Sequence, residues 1–513
     1  MKIYFLILCP FIIFAQGKRD YVWLLGGNRT PTTDTSYQGF QIDFNTKPRS
    51  IYIKDRPNPI LRQNNASICD KDGNLLMYTA GCHVSDRLHR VMPNGKINEG
   101  LVWDFYCKYG DYPLYNGTLI IPMVSKANEY IVLHRFLEFD PDPQLPGGTS
   151  TKLLYSIVDM NANNSFGDVK SKNQIVIEKH LSGGDLTAVR HANNIDWWIL
   201  VPGRANDLYY SIQMTENGPR PFQTMQLGIP MQYLDDGGSQ SCFSADGTKY
   251  ARMTPSTGLF LMDFNRSNGQ LSNFRNVTTG SETNDHSVGV AFSPNSRFVY
   301  LVYRFDLYQV DTWAQDFQAS LVHIDSWDGY VEGGIWAAGF DAAMLGPDCK
   351  IYIRTGTSNR VMHVIHNPNE KGKACNFEQH GIQLPARNHA SIPNFVNYRL
   401  GYEPVCDSTL TRTWDIFSDS NEAIGYPNLV QSIMNIELRN RKNFIQNISI
   451  LDLNGQVVTK KSFLDANFKE TIDLSNLDAG IYLVKVTDKS GQEYVIKSVK
   501  NKRKFHHFLY LIQ

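Results

Sequence analysis

The chain has 513 residues, and its 50 Lys and Arg balance 50 Asp and Glu. That balance excludes a global basic field that would draw it to nucleic acid or acidic membranes, while the length suggests two to four domains with ample core. Aromatics at 12% and 38 glycines suit short strands joined by tight turns and exclude disorder over most of the chain.

The chain opens "MKIYFLILCPFIIFAQG": a lysine, an apolar run and a small residue at Ala15. This is the pattern of a secretory signal peptide over residues 1–15. Cys9 follows a bulky leucine and lies too early for a lipid-anchored cysteine. No other stretch approaches the roughly 18 apolar residues of a membrane helix, so an exported, soluble product without an integral span is expected. Cleavage would leave seven cysteines, Cys69, Cys82, Cys107, Cys242, Cys349, Cys375 and Cys406, with no CxxC spacing. They form neither a zinc site nor a dense disulfide framework. Export permits bridges, with Cys375–Cys406 and Cys69–Cys82 as candidates.

Four segments repeat one pattern: "SICDKDGNLLMYT", "SCFSADGTKYAR", "VAFSPNSRFVYLV" and "AMLGPDCKIYIRT". Each has a short apolar strand, a turn centred on Asp72, Asp246, Asn295 or Asp348, and an alternating strand, which is a hairpin. "GTLIIPMVSKANEYIVL" and "LTAVRHANNIDWWILV" fill the gaps, and "ASIPNFV" at 390–396 opens a seventh strand. First strands near Ala66, Thr118, Leu186, Gln240, Gly289, Ala342 and Ala390 recur on average about every 54 residues, blade length for a β-propeller. "YVWLLGG", "GFQIDF" and "SIYIKD" precede the first copy and are expected to complete the last blade by pairing the chain's two ends. The predicted fold is therefore all-β: a seven-bladed β-propeller over 20–401.

The ordered series "NASICDKDGNLLMYTAG", "MPNG", "LLYSIVDM", "GDV", "LTAVRH", "WWILV" and "LGPDCKIYIRT…VIHNPNEKGKACNFEQHGIQLP…SIPNFVNY" resembles secreted, WD-repeat-like propellers of gram-negative bacteria that use type IX secretion. The resemblance spans about 21–401. It implies a fold and an export route, and no common activity.

Residues 402–424 are polar and without period, the texture of a linker. Beyond it "SIMNIEL", "NISILDLNGQVV", "FKETIDLSNL", "GIYLVKVTD" and "EYVIKSVK" alternate between turns, which predicts a small Ig-like antiparallel β-sandwich over 425–500. Both faces of the strand at 481–486 carry apolar residues, so it is expected to be mostly covered. "YPN" at 426–428, "ISILDLNGQVV", "DLSNLDAGIYLVKV" and "VIKSVK" resemble the type A C-terminal sorting domain of type IX cargo. The matching positions are Asn454, Gly455, Gly480, Tyr482 and Lys497. The resemblance implies handling by the type IX secretion machinery and delivery to the outer cell surface or the medium. Leu429 replaces the family's second proline, and an atypical tail, 501–513, follows where the pattern normally stops.

Catalytic signatures are missing: there is no GxSxG, HExxH, Walker loop or GxGxxG after a strand. "DKDGN" at 70–74 is half a calcium loop, but Gly81 stands where its bidentate Glu belongs, so a hairpin is the better reading. Propellers bind ligands on loops entering the innermost strands. Those loops carry Asn64, Asn65, Tyr115, Asn116, Asp185, Asp235, Asp236, Asp285, His286, Asp341, Arg387 and His389. Asp185, Asp235, Asp236 and Asp285 have the hard oxygens that calcium takes. His286 and His389 suit a softer metal or acid–base work. The plainer reading makes all of them turn caps bonded to local amides. Trp197, Trp198, Trp327 and Trp336 are better read as packing than as sugar platforms.

The sequence thus favours a non-enzymatic, exported propeller that binds an extracellular protein or glycan at its channel mouth, without nucleic acid. A metal-dependent hydrolase or lyase acting on polysaccharide or a lactone is the alternative, and a structural part of a surface assembly is a third reading.

Overall fold

The computed structural model describes residues 17–27, 35–54, 60–139, 148–231, 238–282, 287–400, 423–426, 429–430, 432–438, 444–452, 456–463, 467–478 and 480–500. The chain divides into two compact units, Met1–Asp407 and Ser408–Gln513.

In the first unit local turn chemistry sets the hairpins. The Asp70 carboxylate accepts the amides of Asp72 and Asn74, so Asp70 rather than Asp72 holds that turn. Asp246 accepts the amide of Thr248, and Asn295 that of Arg297. Such side-chain caps satisfy backbone groups that a two-strand reversal leaves unpaired.

Among the described residues, seven antiparallel sheets of three to five strands succeed one another along this unit. Their first strands are Val22–Gly26, Ala66–Cys69, Thr118–Pro122, Thr187–Arg190, Gln240–Phe243, Gly289–Phe292 and Phe340–Leu345. First strands of neighbouring sheets pack on one another from the first sheet to the third and from the fourth to the seventh, and Phe377–His389, the last strand of the seventh sheet, packs against all three strands of the first. Burial follows the same order. The first strands of the second, third, fourth and sixth sheets are wholly buried, whereas a last strand such as Gln270–Val277 is half open. Gly289 marks how closely these strands approach: a Cβ there would sit 2.4 Å from the carbonyl oxygen of Asp341 in the next sheet.

The expected strand at 390–396 does not form. The opening strands make a three-stranded sheet of their own. Residues 391–400 instead run as irregular, largely buried chain whose side chains bond to several sheets, so the two ends of the unit meet through side chains rather than through a shared ladder. The cysteines also pair otherwise than expected. Cys82 bonds Cys107, while Cys69 and Cys375 are buried free thiols, which rules out both Cys69–Cys82 and Cys375–Cys406. Cys349 is also disulfide-bonded.

The second unit is two sheets around one core. Ala423–Tyr426, Ile433–Leu438 and Lys469–Asp473 form one; Leu429–Val430, Glu493–Lys500, Gly480–Asp488, Ile445–Leu451 and Val457–Ser462 form the other. The first strand begins inside the stretch expected to be linker, and Leu429–Val430 pairs parallel with Glu493–Lys500, so the unit is not purely antiparallel. Met434, Ile436, Ile448, Ile450, Val484 and Val486 fill the core between the sheets. Val484 and Val486 of that strand are fully buried, whereas Tyr482 on their side and Leu483 and Lys485 opposite are half open.

Candidate functional site

The first strand of each sheet ends a ladder, which leaves one edge of backbone donors and acceptors without a strand partner. Three amide side chains meet this need. Asn65 donates to the Leu24 carbonyl of the first sheet (2.7 Å) and to Ser391 Oγ (3.0 Å). Asn394 donates to the carbonyls of Thr118 and Leu186, each at 3.0 Å, at the starts of the third and fourth sheets. Gln240 accepts the amides of Val290 and Ala343 and donates to the Ala343 carbonyl (2.8 Å), tying the fifth, sixth and seventh sheets.

Residues 391–400 thus act as a central strut. Asn397 donates to the Ala245 carbonyl, and the Tyr398 hydroxyl to the Ile120 carbonyl (2.7 Å). Arg399 clasps both oxygens of Asp20 at 2.7 and 2.9 Å across 379 residues of sequence. Phe395 and Trp23 lie 6.0 Å apart, ring to ring. Beside the strut remains a cavity of about 80 Å³, lined by the first strands of the fourth to seventh sheets together with Asn394, Phe395 and Arg399. It has room for a few waters but falls well short of the roughly 300–1,000 Å³ of a drug-sized ligand site.

The two described acids of these loops, Asp185 and Asp341, do not face solvent. Asp185 is fully buried, and one of its oxygens accepts from Arg252 Nε (3.0 Å), Ser182 Oγ (2.7 Å) and Ser239 Oγ (2.8 Å). Asp341, also buried, lies 3.1 Å from Arg354 Nη2 and accepts from Ser287 Oγ and the Ala342 amide. The Arg354 guanidinium lies over the Tyr115 ring. Burial and the Asp341 charge raise the Tyr115 hydroxyl above the usual tyrosine range. Asp185, the one described carboxylate of the expected cation cage, is therefore matched by a buried cation, and so is Asp341, another acid of these loops. Asn64 accepts from Thr118 Oγ1, and the backbone N–H of Asn116 donates to the Gln63 carbonyl.

His389 sits at the end of the seventh sheet, stacked on Tyr37 at 5.3 Å, with Nδ1 3.2 Å from Ser358 Oγ. Burial, then Arg62 and Arg387, lower it to about 4, so it is neutral at neutral pH rather than poised for proton transfer. Asp235, Asp236, Asp285 and His286 lie outside the described residues. Among the described residues no group of three or more His, Cys, Asp or Glu is arranged to hold a metal ion. Trp197 and Trp198 are buried, whereas Trp327 and Trp336 are half open.

Of the sorting-motif positions, Asn454 and Gly455 lie outside the described residues. Gly480 begins a nine-residue strand paired with Lys500, Leu483 lies opposite Lys497, and the Tyr482 hydroxyl donates to the Asp478 carbonyl (3.1 Å).

Residues 425–501 match the secretion system C-terminal sorting domain family. The chain is type IX secretion cargo. It is exported to the cell surface or released. No described helix of the cargo is long and apolar enough to cross a membrane. No curated protein matches it. Among solved structures it is similar to a Lactobacillus plantarum protein at 12% identity and TM-score 0.40, over 72% of this chain and 98% of that one. It is also similar to a 6-phosphogluconolactonase-like protein from Bacteroides uniformis at 10% identity and TM-score 0.41, with the same coverage. These likenesses are too remote to carry substrate or activity.

Sequence reasoning missed the cargo's buried arginines and its central strut. Arg252 and Arg354 lie in second strands, Arg354 one hairpin from Asp341 but Arg252 in the sheet after the one that Asp185 precedes, and alternation gives such positions no sign of polarity. The run "ASIPNFVNYRL" has the apolar content of a strand, but Pro393 and two asparagines that bond backbone carbonyls were the available signal that it is not one.

Proposed function

We propose that this cargo is a seven-bladed β-propeller followed by an Ig-like sorting sandwich, and that it acts outside the cell as a non-catalytic binding scaffold for an extracellular protein or glycan. The observation that carries this reading is that the chain's own residues 391–400 are held to five sheets by bonds of Asn65, Asn394, Asn397, Tyr398 and Arg399, which in a propeller would fill the axis. A channel closed in this way is a rigid support, and partner contact falls to the outer faces and loops. The commitment of Asp185 to Arg252 and of Asp341 to Arg354 supports the same view, because charges already matched in the interior give little to a metal or a reacting substrate.

The test is proximity labelling from the exported protein on living producer cells, followed by binding of the purified mature chain to each labelled surface protein and to oligosaccharides. Saturable binding by chain stripped with chelator supports the scaffold. Chelator-sensitive turnover of a polysaccharide or lactone, lost in Asp185→Ala protein that still melts cooperatively, would overturn it.

A further inference from the structure

The segment leading into the first strand of the seventh sheet, residues 327–338, is an insertion with its own two-residue hairpin, Val331–Glu332 against Trp336–Ala337. It places large apolar side chains in water: Tyr330 is 42% exposed and Ile335 75%. Beside it Phe305, 43% exposed, lies against Trp327 with ring centroids 5.3 Å apart. The insertion is not loose, because Thr357 Oγ1 and Asn359 Nδ2 both bond the Ala337 carbonyl, at 2.8 and 3.0 Å. Glu332 ion-pairs with Arg387 (3.0 Å) and accepts the Arg360 amide (2.8 Å). The Arg387 guanidinium in turn lies over the Trp336 ring at 5.5 Å.

Resting on the binding-scaffold reading, we propose that this aromatic strip, Phe305, Trp327, Tyr330 and Trp336 with Glu332 and Arg387, is a binding site for an uncharged oligosaccharide. A sugar ring is apolar across its C–H face and polar around its rim, so it takes aromatic faces for stacking and planar charged side chains for its hydroxyls. Both are present on one braced segment. The choice of an uncharged ligand follows from charge balance within the strip. Glu332 lies between Arg387 and Arg360, and Asp328 supplies a second carboxylate, so two guanidinium groups stand against two carboxylates. The strip therefore offers hydrogen-bonding edges without the net charge that would select a polyanion or a charged peptide. Rigid rings held in advance also lower the ordering cost of binding.

The experiment titrates the mature chain with hexasaccharides of β-linked glucose, mannose, galactose and xylose, following tryptophan emission and calorimetric heat. At least one of these is expected to bind and to shift emission. Tyr330→Ala and Trp336→Ala are each expected to weaken it about tenfold or more. Ile335→Ser, at the most open position, tests the strip without touching packed side chains. Trp313→Ala is the control, since that exposed indole follows the far end of strand Asp306–Asp311 from Phe305 and should leave affinity unchanged. Sugar binding that Tyr330→Ala, Trp336→Ala and the neighbouring Ile335→Ser all leave intact overturns the site while preserving the scaffold reading. Failure of every hexasaccharide to bind overturns the ligand class, and loss of a protein partner in the same variants would reassign the strip to protein recognition.

Discussion

Asp185→Ala separates a structural carboxylate from a metal ligand. The Asp185 side chain is 0% exposed and that of its partner Arg252 1%, so removing the acid takes a carboxylate at 3.0 Å away from a buried guanidinium. Two hydroxyl donors, Ser182 and Ser239, lose the same acceptor oxygen. Breaking a buried pair from one side costs about 3–5 kcal/mol, against about 1 kcal/mol or less for an exposed pair. The three bonds share one oxygen and do not add, so we take that range as the whole effect. The assay is urea unfolding of the mature protein at neutral pH, followed by tryptophan emission, with and without calcium. Asp185→Ala should lower unfolding free energy by about 3–5 kcal/mol in both conditions. Adding Arg252→Met, which replaces the buried cation with apolar volume, should recover at least half of the loss. A loss below about 1 kcal/mol would refute the buried-pair argument. So would a calcium-induced stabilisation of the wild type that vanishes in the variant.

Opening the Cys82–Cys107 bridge, which spans 25 residues, should cost about 3.5 kcal/mol by loop-entropy reasoning, read as the urea-midpoint difference between wild type and Cys82→Ser/Cys107→Ser. His134 is wholly buried, with Nδ1 2.7 Å from Asn98 Oδ1 and Nε2 2.9 Å from Ser156 Oγ, and burial lowers it from 6.5 to about 3. The unfolded chain therefore binds a proton before the folded one does. Stability should fall as pH drops from 6.5 towards 3, and His134→Gln should flatten that limb in melts across the range. Gly289→Ala would force a Cβ to within 2.4 Å of the Asp341 carbonyl oxygen, so the sixth and seventh sheets must part, at about 1–3 kcal/mol by the same urea assay.

Much of the first unit was legible because turn chemistry and strand alternation are local. First strands expected near Ala66, Thr118, Gln240 and Gly289 begin at those residues, and the Asp246 and Asn295 turns are capped as their sequences imply. What was not legible depends on partners distant in sequence. Asp185 was readable as a loop acid, but its fate is set by Arg252, 67 residues on. The segment 390–396 satisfies the composition of a strand, yet Asn394 finds better use bonding carbonyls 276 and 208 residues away. Cys107 was unguessable as the partner of Cys82 because the intervening chain folds back through the short helix Leu101–Tyr106, which has no periodic signature at six residues. The difference between Trp197, buried, and Trp336, half open, is likewise one of placement, since an indole is equally at home in a core and on a binding face.

The account stands most directly on the position of residues 391–400 among the first strands. Amide hydrogen exchange of the mature protein, read on peptides covering that segment, measures it. Protection comparable to that of Thr118–Pro122 and Thr187–Arg190 is the predicted result. Exchange within minutes, at the pace of free peptide, would mean that the axis is open and would contradict the account.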